Sequence, residues 1–298
     1  LWIAYAVIWI LILPVSVHSR LSVSWLTNIY YEVQALVLEM GFGTGVLMSA
    51  AFGALAAMAV FSYLYTSKSA GMMASLPVRR EAMFLTMFSA GLCCLLASNV
   101  LVFLITLAVE AAHGMLGIGY LLQWLALVSM CNVFFYGFAS LCAMLTGHIL
   151  VLPCVYAVLL FTAVVVESII RYLLDAFVFG MNTSSALIFD FLSPVYYLLS
   201  GTRVLPIYNQ SVTDPVVIGY RYTGWAPMII YCAAGVACVA AALLLYRRRR
   251  METASDIVAV KALKPVFKYC LAFGCALCIG TWVFYGIFYH GAQALNVV

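Results

Sequence analysis

The sequence predicts an all-α polytopic membrane protein with about seven transmembrane helices. Of its 298 residues 67% are hydrophobic and only 8% are charged, and the mean hydropathy is +1.13. A soluble domain is about a quarter charged, so this composition excludes a soluble globular chain and is the opposite of that of a disordered one. The apolar runs are long and uniform, which favours helices over the short alternating segments of a membrane barrel.

Windows of about 20 apolar residues place the spans along the chain. The first span, expected at 1–17, starts with the first residue, and no cleavable signal peptide is visible. We therefore expect the sequence to be part of a longer chain. The other spans are expected at 37–66, 83–110, 117–145, 149–171, 225–246 and 269–290.

The basic residues predict the orientation of these spans. Three of the fourteen lie between the second and third spans, and seven lie between the sixth and seventh. The positive-inside rule places both connections in the cytoplasm of a multi-pass plasma-membrane (inner-membrane) protein. Because the basic residues lie at span ends, they indicate contact with membrane lipid and no nucleic-acid partner.

We divide the chain into a six-span domain over 1–246, a basic cytoplasmic linker over 247–268, and the seventh span with the start of a C-terminal part over 269–298. In the linker, four consecutive arginines are expected to meet anionic lipid headgroups: Arg247, Arg248, Arg249 and Arg250.

The longest external segment is expected at 172–224. Within it, Ser184–Ser200 is apolar but too short to span the bilayer, and Pro194 interrupts it. We interpret it as one or two short helices at the outer interface. A polar, proline-containing stretch, Pro206–Tyr222, follows.

The cytoplasmic connection at 67–82 is the most informative segment. It carries a small apolar group, and Pro77 ends the helix that precedes it. Arg79, Arg80 and Glu81 are expected to open the next helix at the membrane surface. Apolar side chains flanked by charge favour a docking element over a plain tether, although both interpretations stay open. The apolar residues are Met72, Met73 and Leu76.

The run Gly71-x-x-x-Ser75-Leu76-Pro77-Val78-Arg79-Arg80-Glu81 resembles the coupling-helix region of ABC transporter permeases of the type-2 exporter class (type V fold). In that family this helix docks into a groove of an ATP-binding subunit. The resemblance covers roughly 1–250 and includes the short external helices before the sixth span. It implies a set of residues that couple to the ATPase: Gly71, Met72, Met73, Ser75, Leu76, Pro77, Arg79, Arg80 and Glu81.

The chain also departs from this family pattern. Lys68 stands where family members often carry an acidic residue, and the minimal family fold lacks a seventh span. The seventh span is similar to the layout of the larger permeases of Gram-positive bacteria, of which this chain looks like the N-terminal half.

The resemblance implies a permease subunit of an ATP-driven exporter for a hydrophobic or amphipathic substrate such as a peptide, drug or lipid. Its expected partners are cytoplasmic ATP-binding subunits and a second permease half, which is the same chain, a paralogue or a C-terminal part. No Walker Gly-x-x-x-x-Gly-Lys-Ser/Thr motif occurs in the sequence. We therefore expect ATP and magnesium on the partner, and no enzymatic activity, cofactor or metal on this chain.

Polar residues inside spans are functional candidates because each is costly in the bilayer. A candidate translocation path comprises Glu39, Asn99, Gln123 and Asn132. Among these, Glu39 is the strongest candidate for contacting a cation or peptide amine, and interhelical hydrogen bonding is the default role of the two asparagines. Glu167 and Arg171 have the spacing of a helical ion pair.

The glycines of the second span predict close helix packing, since Gly41-x-x-x-Gly45 has the small-residue spacing of helix contacts, within the chain or across a dimer interface.

Two other classes of protein compete with the exporter interpretation. An ion-coupled secondary transporter would need buried acidic clusters or broken helices, and a membrane-embedded enzyme would need a converging catalytic set; the sequence shows neither convincingly. A non-transporting membrane sensor or scaffold that uses the same loop stays open.

Overall fold

The computed structural model of the protein describes residues 1–22, 29–75, 77–177, 189–209 and 217–248, together with isolated positions between 268 and 279. Apart from those isolated positions, the predicted seventh span and the linker beyond Arg248, with Arg249 and Arg250, lie outside the described residues, as does Leu76.

Helices form nearly all of the described chain. In order along it lie α1 (Trp2–Leu21), α2 (Ile29–Val60), a 3-10 turn (Ser62–Tyr65), α3 (Ser67–Ala74), α4 (Arg80–Ala112), α5 (Ile118–Leu145), α6 (Val151–Phe177), a second 3-10 turn (Asp190–Leu192), α7 (Pro194–Ser200), β1 (Val204–Tyr208), β2 (Val217–Tyr222) and α8 (Trp225–Arg248).

Six of these helices, α1, α2, α4, α5, α6 and α8, are long and apolar enough to cross a membrane. They correspond to the first six predicted spans and are consistent with a multi-pass membrane protein. The largest difference is at α2, which begins at Ile29 and not near 37. The hydropathy window stops at the polar first turn with Glu32, whereas the backbone hydrogen bonds of a helix continue through it.

Helices α2, α5 and α8 pack together and run in the same direction. A Cβ placed on Gly41 would lie 3.1 Å from Trp124 Cδ1, and one placed on Gly53 would lie 3.1 Å from the backbone of Phe135. The small residues of α2 therefore pack against α5 within the same chain. Of the two predicted roles, an internal contact and a dimer interface, these glycines have the internal one.

The contact between α5 and α8 is closer still. A Cβ on Gly235 of α8 would lie 2.6 Å from Phe134 Cα, and one on Gly137 of α5 would lie 2.8 Å from the Gly235 carbonyl oxygen. Side chains normally keep carbon atoms about 3.5–4.0 Å apart. The two backbones can cross at this distance only because both positions are glycine.

Helices α1 and α4 form a second group that runs in the opposite direction. Tyr5 of α1 contacts Asn99 of α4, and further along both helices His18 Nδ1 lies 3.0 Å from His113 Nε2. Trp9 packs edge-on against Trp124 of α5, with ring centroids 5.1 Å apart. The fold therefore consists of two oppositely directed groups, α1/α4 and α2/α5/α8, that meet along a seam.

Helix α6 lies at the periphery and is the least buried of the six long helices, followed by α8. The Tyr156 hydroxyl of α6 donates to the Ala50 carbonyl of α2 at 3.0 Å, which attaches α6 to the α2 group. Most of its outward apolar surface is available to lipid.

Strands β1 and β2 form an antiparallel hairpin, with Val204 opposite Tyr222. The Gln34 side chain at the start of α2 donates to the Tyr220 carbonyl at 3.2 Å. The hairpin therefore lies at the end of the molecule where α2 begins, which we call the hairpin end. The mostly helical structure is compatible with the predicted all-α membrane fold, but this short hairpin was not predicted, since the sequence indicated only a polar stretch at 206–222. The branched and aromatic residues at the two ends of that stretch favour paired strands.

Candidate functional site

Helix α3 projects from the end of the molecule opposite the hairpin. It follows α2 through the 3-10 turn and precedes α4 through Pro77 and Val78, so it lies at the predicted connection between the second and third spans. Met72 exposes 67% of its surface, and Val78 exposes 54%. The connection between α2 and α4, two helices of opposite groups, therefore exposes two apolar side chains.

The apolar group predicted from the sequence is only partly exposed. Met73 is half-buried and packs against the core, so only Met72 of the described pair faces outward. The reason is helical geometry, since consecutive residues on a helix point about 100° apart.

Ser75 caps the C-terminal end of α3. Its N–H donates to the Gly71 carbonyl at 3.1 Å, and its hydroxyl donates to the Met72 carbonyl at 2.7 Å. These bonds satisfy carbonyls that the helix end would otherwise leave free. Ser75 therefore has a local structural role.

The base of α3 is held by tyrosines of the 3-10 turn. The Tyr63 hydroxyl lies 3.3 Å from the Tyr246 hydroxyl of α8, and the Tyr65 hydroxyl lies 3.4 Å from the Ala143 carbonyl of α5. Tyr63, Leu64 and Tyr65 are buried. The turn that leads into α3 is thus packed against α5 and α8. These tyrosines were not among the residues predicted from the sequence. The available signal was a run of three large, mostly apolar residues directly before a polar loop.

Gly71 lies in the middle of α3 with open space where a side chain would be. Nothing lies within 4 Å of a Cβ placed there, and its backbone φ is not positive. Glycine in a helix interior destabilises by about 0.5–1 kcal/mol relative to alanine. Packing among the described residues does not account for glycine at this position.

The prediction that Arg79, Arg80 and Glu81 open a helix is confirmed, since Arg79 is the N-cap of α4 and Arg80 is its first residue. Pro77, Arg79 and Arg80 are exposed. Glu81 forms an ion pair with Arg247 of α8 at 2.8 Å, and both side chains are about half exposed. This pair connects the start of α4 to the end of α8.

Asn99 and Asn132, two residues of the candidate translocation path, meet in the core. The Tyr5 hydroxyl donates to Asn99 Oδ1 at 2.9 Å and accepts a hydrogen bond from Asn132 Nδ2 at 3.0 Å. All three residues are buried. Their interhelical hydrogen bonding is as predicted, but the connecting Tyr5 was missed because its partners lie 94 and 127 residues away.

The other two path candidates lie elsewhere. Glu39 is exposed and Gln123 is half-buried, and both belong to the halves of α2 and α5 nearer the hairpin. Burial together with the carboxylates of Glu32 and Glu39 raises the pKa of Tyr220 in the hairpin. The structure thus brings Glu39 towards the hairpin and separates it from the asparagine pair.

The predicted ion pair between Glu167 and Arg171 is confirmed, with Arg171 Nη2 2.7 Å from Glu167 Oε1. Glu167 Oε2 also accepts the Phe189 N–H at 2.8 Å. The pair therefore anchors the returning external segment to α6, which is a structural role.

Glu110, at the hairpin end of α4, was not among the sequence candidates. It is fully buried and accepts the Gly117 N–H and the Tyr120 hydroxyl, each at 2.9 Å. The carboxylate thereby closes the connection between α4 and α5. An isolated glutamate seven residues before a glycine at a span end was the only available signal.

The described residues contain no group of three or more histidine, cysteine or acidic side chains that could hold a metal ion. The cysteines within the described ranges are free thiols: Cys93, Cys94, Cys131, Cys142, Cys154, Cys232 and Cys238.

No protein-family model matches the sequence, and comparison with curated proteins and with solved structures finds no match.

Proposed function

We propose that the chain is the membrane-spanning permease subunit of an ATP-driven ABC exporter, and that a cytoplasmic ATP-binding subunit docks on α3. The observation that carries the proposal is a short projecting helix with an exposed methionine, Met72, that stands on buried tyrosines and is joined to one span of each helix group. The resemblance of the 67–82 connection to a coupling helix supports the same assignment.

The connectivity supplies the coupling mechanism. Helix α3 is joined to α2 of one group by the 3-10 turn and to α4 of the other group by a short proline-containing connection. A displacement of α3 when the ATP-binding subunits close would therefore move α2 and α4 relative to each other. This biases a two-state arrangement of the helix groups by an event on another chain.

The chemistry of the dock is complementary to an apolar groove with an acidic rim. Met72 supplies an apolar side chain, while Lys68 and Arg79 are exposed and basic. Gly71 allows a partner backbone to approach the helix closely. This accounts for glycine at a position where it weakens the helix and where packing among the described residues does not require it.

The remaining assignments follow from the proposed class. A second permease half would be needed to line a central path, and ATP with magnesium would bind the ATP-binding subunits. The apolar outer faces of the spans suit a hydrophobic or amphipathic peptide, drug or lipid. The protein would reside in the plasma membrane with its α3 end in the cytoplasm.

Co-purification from the source cells tests the dock. The native chain is compared with Met72→Asp, Gly71→Leu and, as a control at the opposite end, Leu205→Asp, whose residue exposes 49% of its surface. Gly71→Leu is the sharpest variant because leucine strengthens the isolated helix. It should keep or raise the stability of the chain while blocking the partner.

The proposal requires that a protein with a Walker motif, identified by mass spectrometry, is retained by the native chain and by Leu205→Asp. It should be lost from Met72→Asp and Gly71→Leu. Absence of any such ATPase from the native chain, or equal retention by all four proteins, would overturn the proposal.

A further inference from the structure

A cluster of buried polar groups surrounds the Tyr5 hydroxyl. Asn99 and Asn132 each use one amide atom to bond this hydroxyl, while Asn99 Nδ2 and Asn132 Oδ1 have no hydrogen-bond partner in the described part of the chain. The Trp9 and Ser49 side chains also interact with the Tyr5 hydroxyl, but among the described residues Trp9 Nε1 and Ser49 Oγ make no hydrogen bond of normal length. The side chains around this hydroxyl therefore carry four buried polar atoms that lack such a bond within the described part of the chain.

The cluster lies on the seam between the two helix groups. Tyr5 and Trp9 belong to α1, Asn99 to α4, Ser49 to α2 and Asn132 to α5. Ser49, Asn99 and Asn132 each lie near the middle of a long helix, far from either helix end. The groups are thus remote from bulk water at both membrane surfaces.

Leaving these atoms unpaired would be costly. A buried donor or acceptor without a partner destabilises by roughly 1–3 kcal/mol. Nearly all buried polar groups in native proteins have a protein or water partner, so four such atoms around one hydroxyl need a common explanation.

The chemistry of the cluster identifies the class of ligand. Trp9 Nε1 and Asn99 Nδ2 are donors, Asn132 Oδ1 is an acceptor, and Ser49 Oγ serves as either. The side chains around the hydroxyl carry amide, indole, hydroxyl and thiol groups, and none of them is acidic like a carboxyl group or basic like an amine. A small neutral molecule that both donates and accepts is required, whereas an ion would lack a countercharge.

We propose that the seam binds internal water at this cluster. One or two water molecules accept hydrogen bonds from Asn99 Nδ2 and Trp9 Nε1 and donate to Asn132 Oδ1 and Ser49 Oγ. Buried waters in proteins typically make about three such bonds, which this set supplies.

With water bound, the polar groups of the seam can exchange hydrogen-bond partners, which the groups of an apolar contact cannot do. If the helix groups separate during transport, a step that rests on the proposed function, the polar groups exchange partners with water that is already present. The binding of water itself does not depend on that function.

Radiolytic footprinting of the purified full-length chain in detergent tests the proposal. Hydroxyl radicals formed from bound water oxidise side chains next to it, and the reaction in ¹⁸O-labelled water marks the source of the oxygen. Tyr5 and Trp9 are compared with Phe84, an equally buried aromatic residue that stacks between Phe61 and Phe88.

We expect Tyr5 and Trp9 to be oxidised several-fold faster than Phe84. The double variant Asn99→Leu/Asn132→Leu removes two of the unpaired atoms together with their amides, so labelling of Trp9 should fall towards the rate of Phe84. Gln123→Leu, a matched change on the same helix α5, should leave it unchanged.

If Tyr5 and Trp9 of the native chain are oxidised no faster than Phe84, the cluster is dry and the proposal is wrong. Because this comparison uses the native chain, it holds even where the double variant does not fold. It needs no ATP-binding subunit, so its failure is distinct from failure of the exporter assignment.

Discussion

Substitution of Gly235 by alanine probes the crossing of α5 and α8. The added Cβ would lie 2.6 Å from Phe134 Cα and 3.0 Å from the Val133 carbonyl oxygen, and both neighbours are backbone atoms. Carbon atoms in contact lie about 3.5–4.0 Å apart, so the helices must separate by roughly 1 Å. Overpacking of this kind destabilises by about 1–3 kcal/mol.

A matched control cancels the intrinsic effect of the substitution. Gly43 lies within α2, and nothing lies within 4 Å of the position that an added methyl group would take. Both glycine-to-alanine changes gain up to about 1 kcal/mol of helix propensity, so Gly43→Ala should be neutral or stabilising. The difference between the two variants should therefore be about 1–3 kcal/mol, with Gly235→Ala the less stable.

Equilibrium unfolding of the purified chain in mixed detergent micelles measures this difference. The free energies of unfolding of the native chain, Gly235→Ala and Gly43→Ala are determined under one set of conditions. Equal stability of the two variants would refute the close backbone crossing.

Two further predictions concern the ends of α4. Glu110→Ala should lower the free energy of unfolding by several kcal/mol, because it leaves the Gly117 N–H and Tyr120 hydroxyl without their acceptor, at about 1.5–3 kcal/mol for each bond to a charged group. Glu110→Gln should retain most of that stability by accepting from Gly117 and donating to Tyr120, and equal losses in the two variants would contradict this geometry. Reversing the Glu81 and Arg247 charges singly should change stability by less than about 1 kcal/mol, because exposed ion pairs contribute little; a double-mutant cycle with a larger coupling would show that the pair is not solvent-screened.

The spans were predictable because they depend on local composition. Any helix that crosses a bilayer needs about 20 apolar residues, and this requirement is legible in a single sequence. The helix start at Arg80 was likewise predictable, since Pro77 restricts the residue before it and charged residues follow.

The polar cluster and the hairpin were not predictable in the same way. Tyr5 meets Asn99 and Asn132 only because α1 packs across α4 and α5. These two partners lie 94 and 127 positions from Tyr5 in the sequence, and no local pattern encodes contacts over such separations. Met73 shows the same limit at the candidate dock, since its sequence neighbours do not reveal that it packs inward and leaves Met72 exposed.

Site-specific photo-crosslinking at position 72 tests whether an ATP-binding subunit docks on α3. A photoreactive amino acid replaces Met72 on α3 or, as a control, Ile3, which exposes 81% of its surface on α1. After irradiation of intact cells, crosslinked partners are identified by mass spectrometry. We expect an ATP-binding protein with a Walker motif to be crosslinked at position 72 and not at position 3. Crosslinking of no such protein at position 72, or equal crosslinking at both positions, would show that α3 is not the docking site.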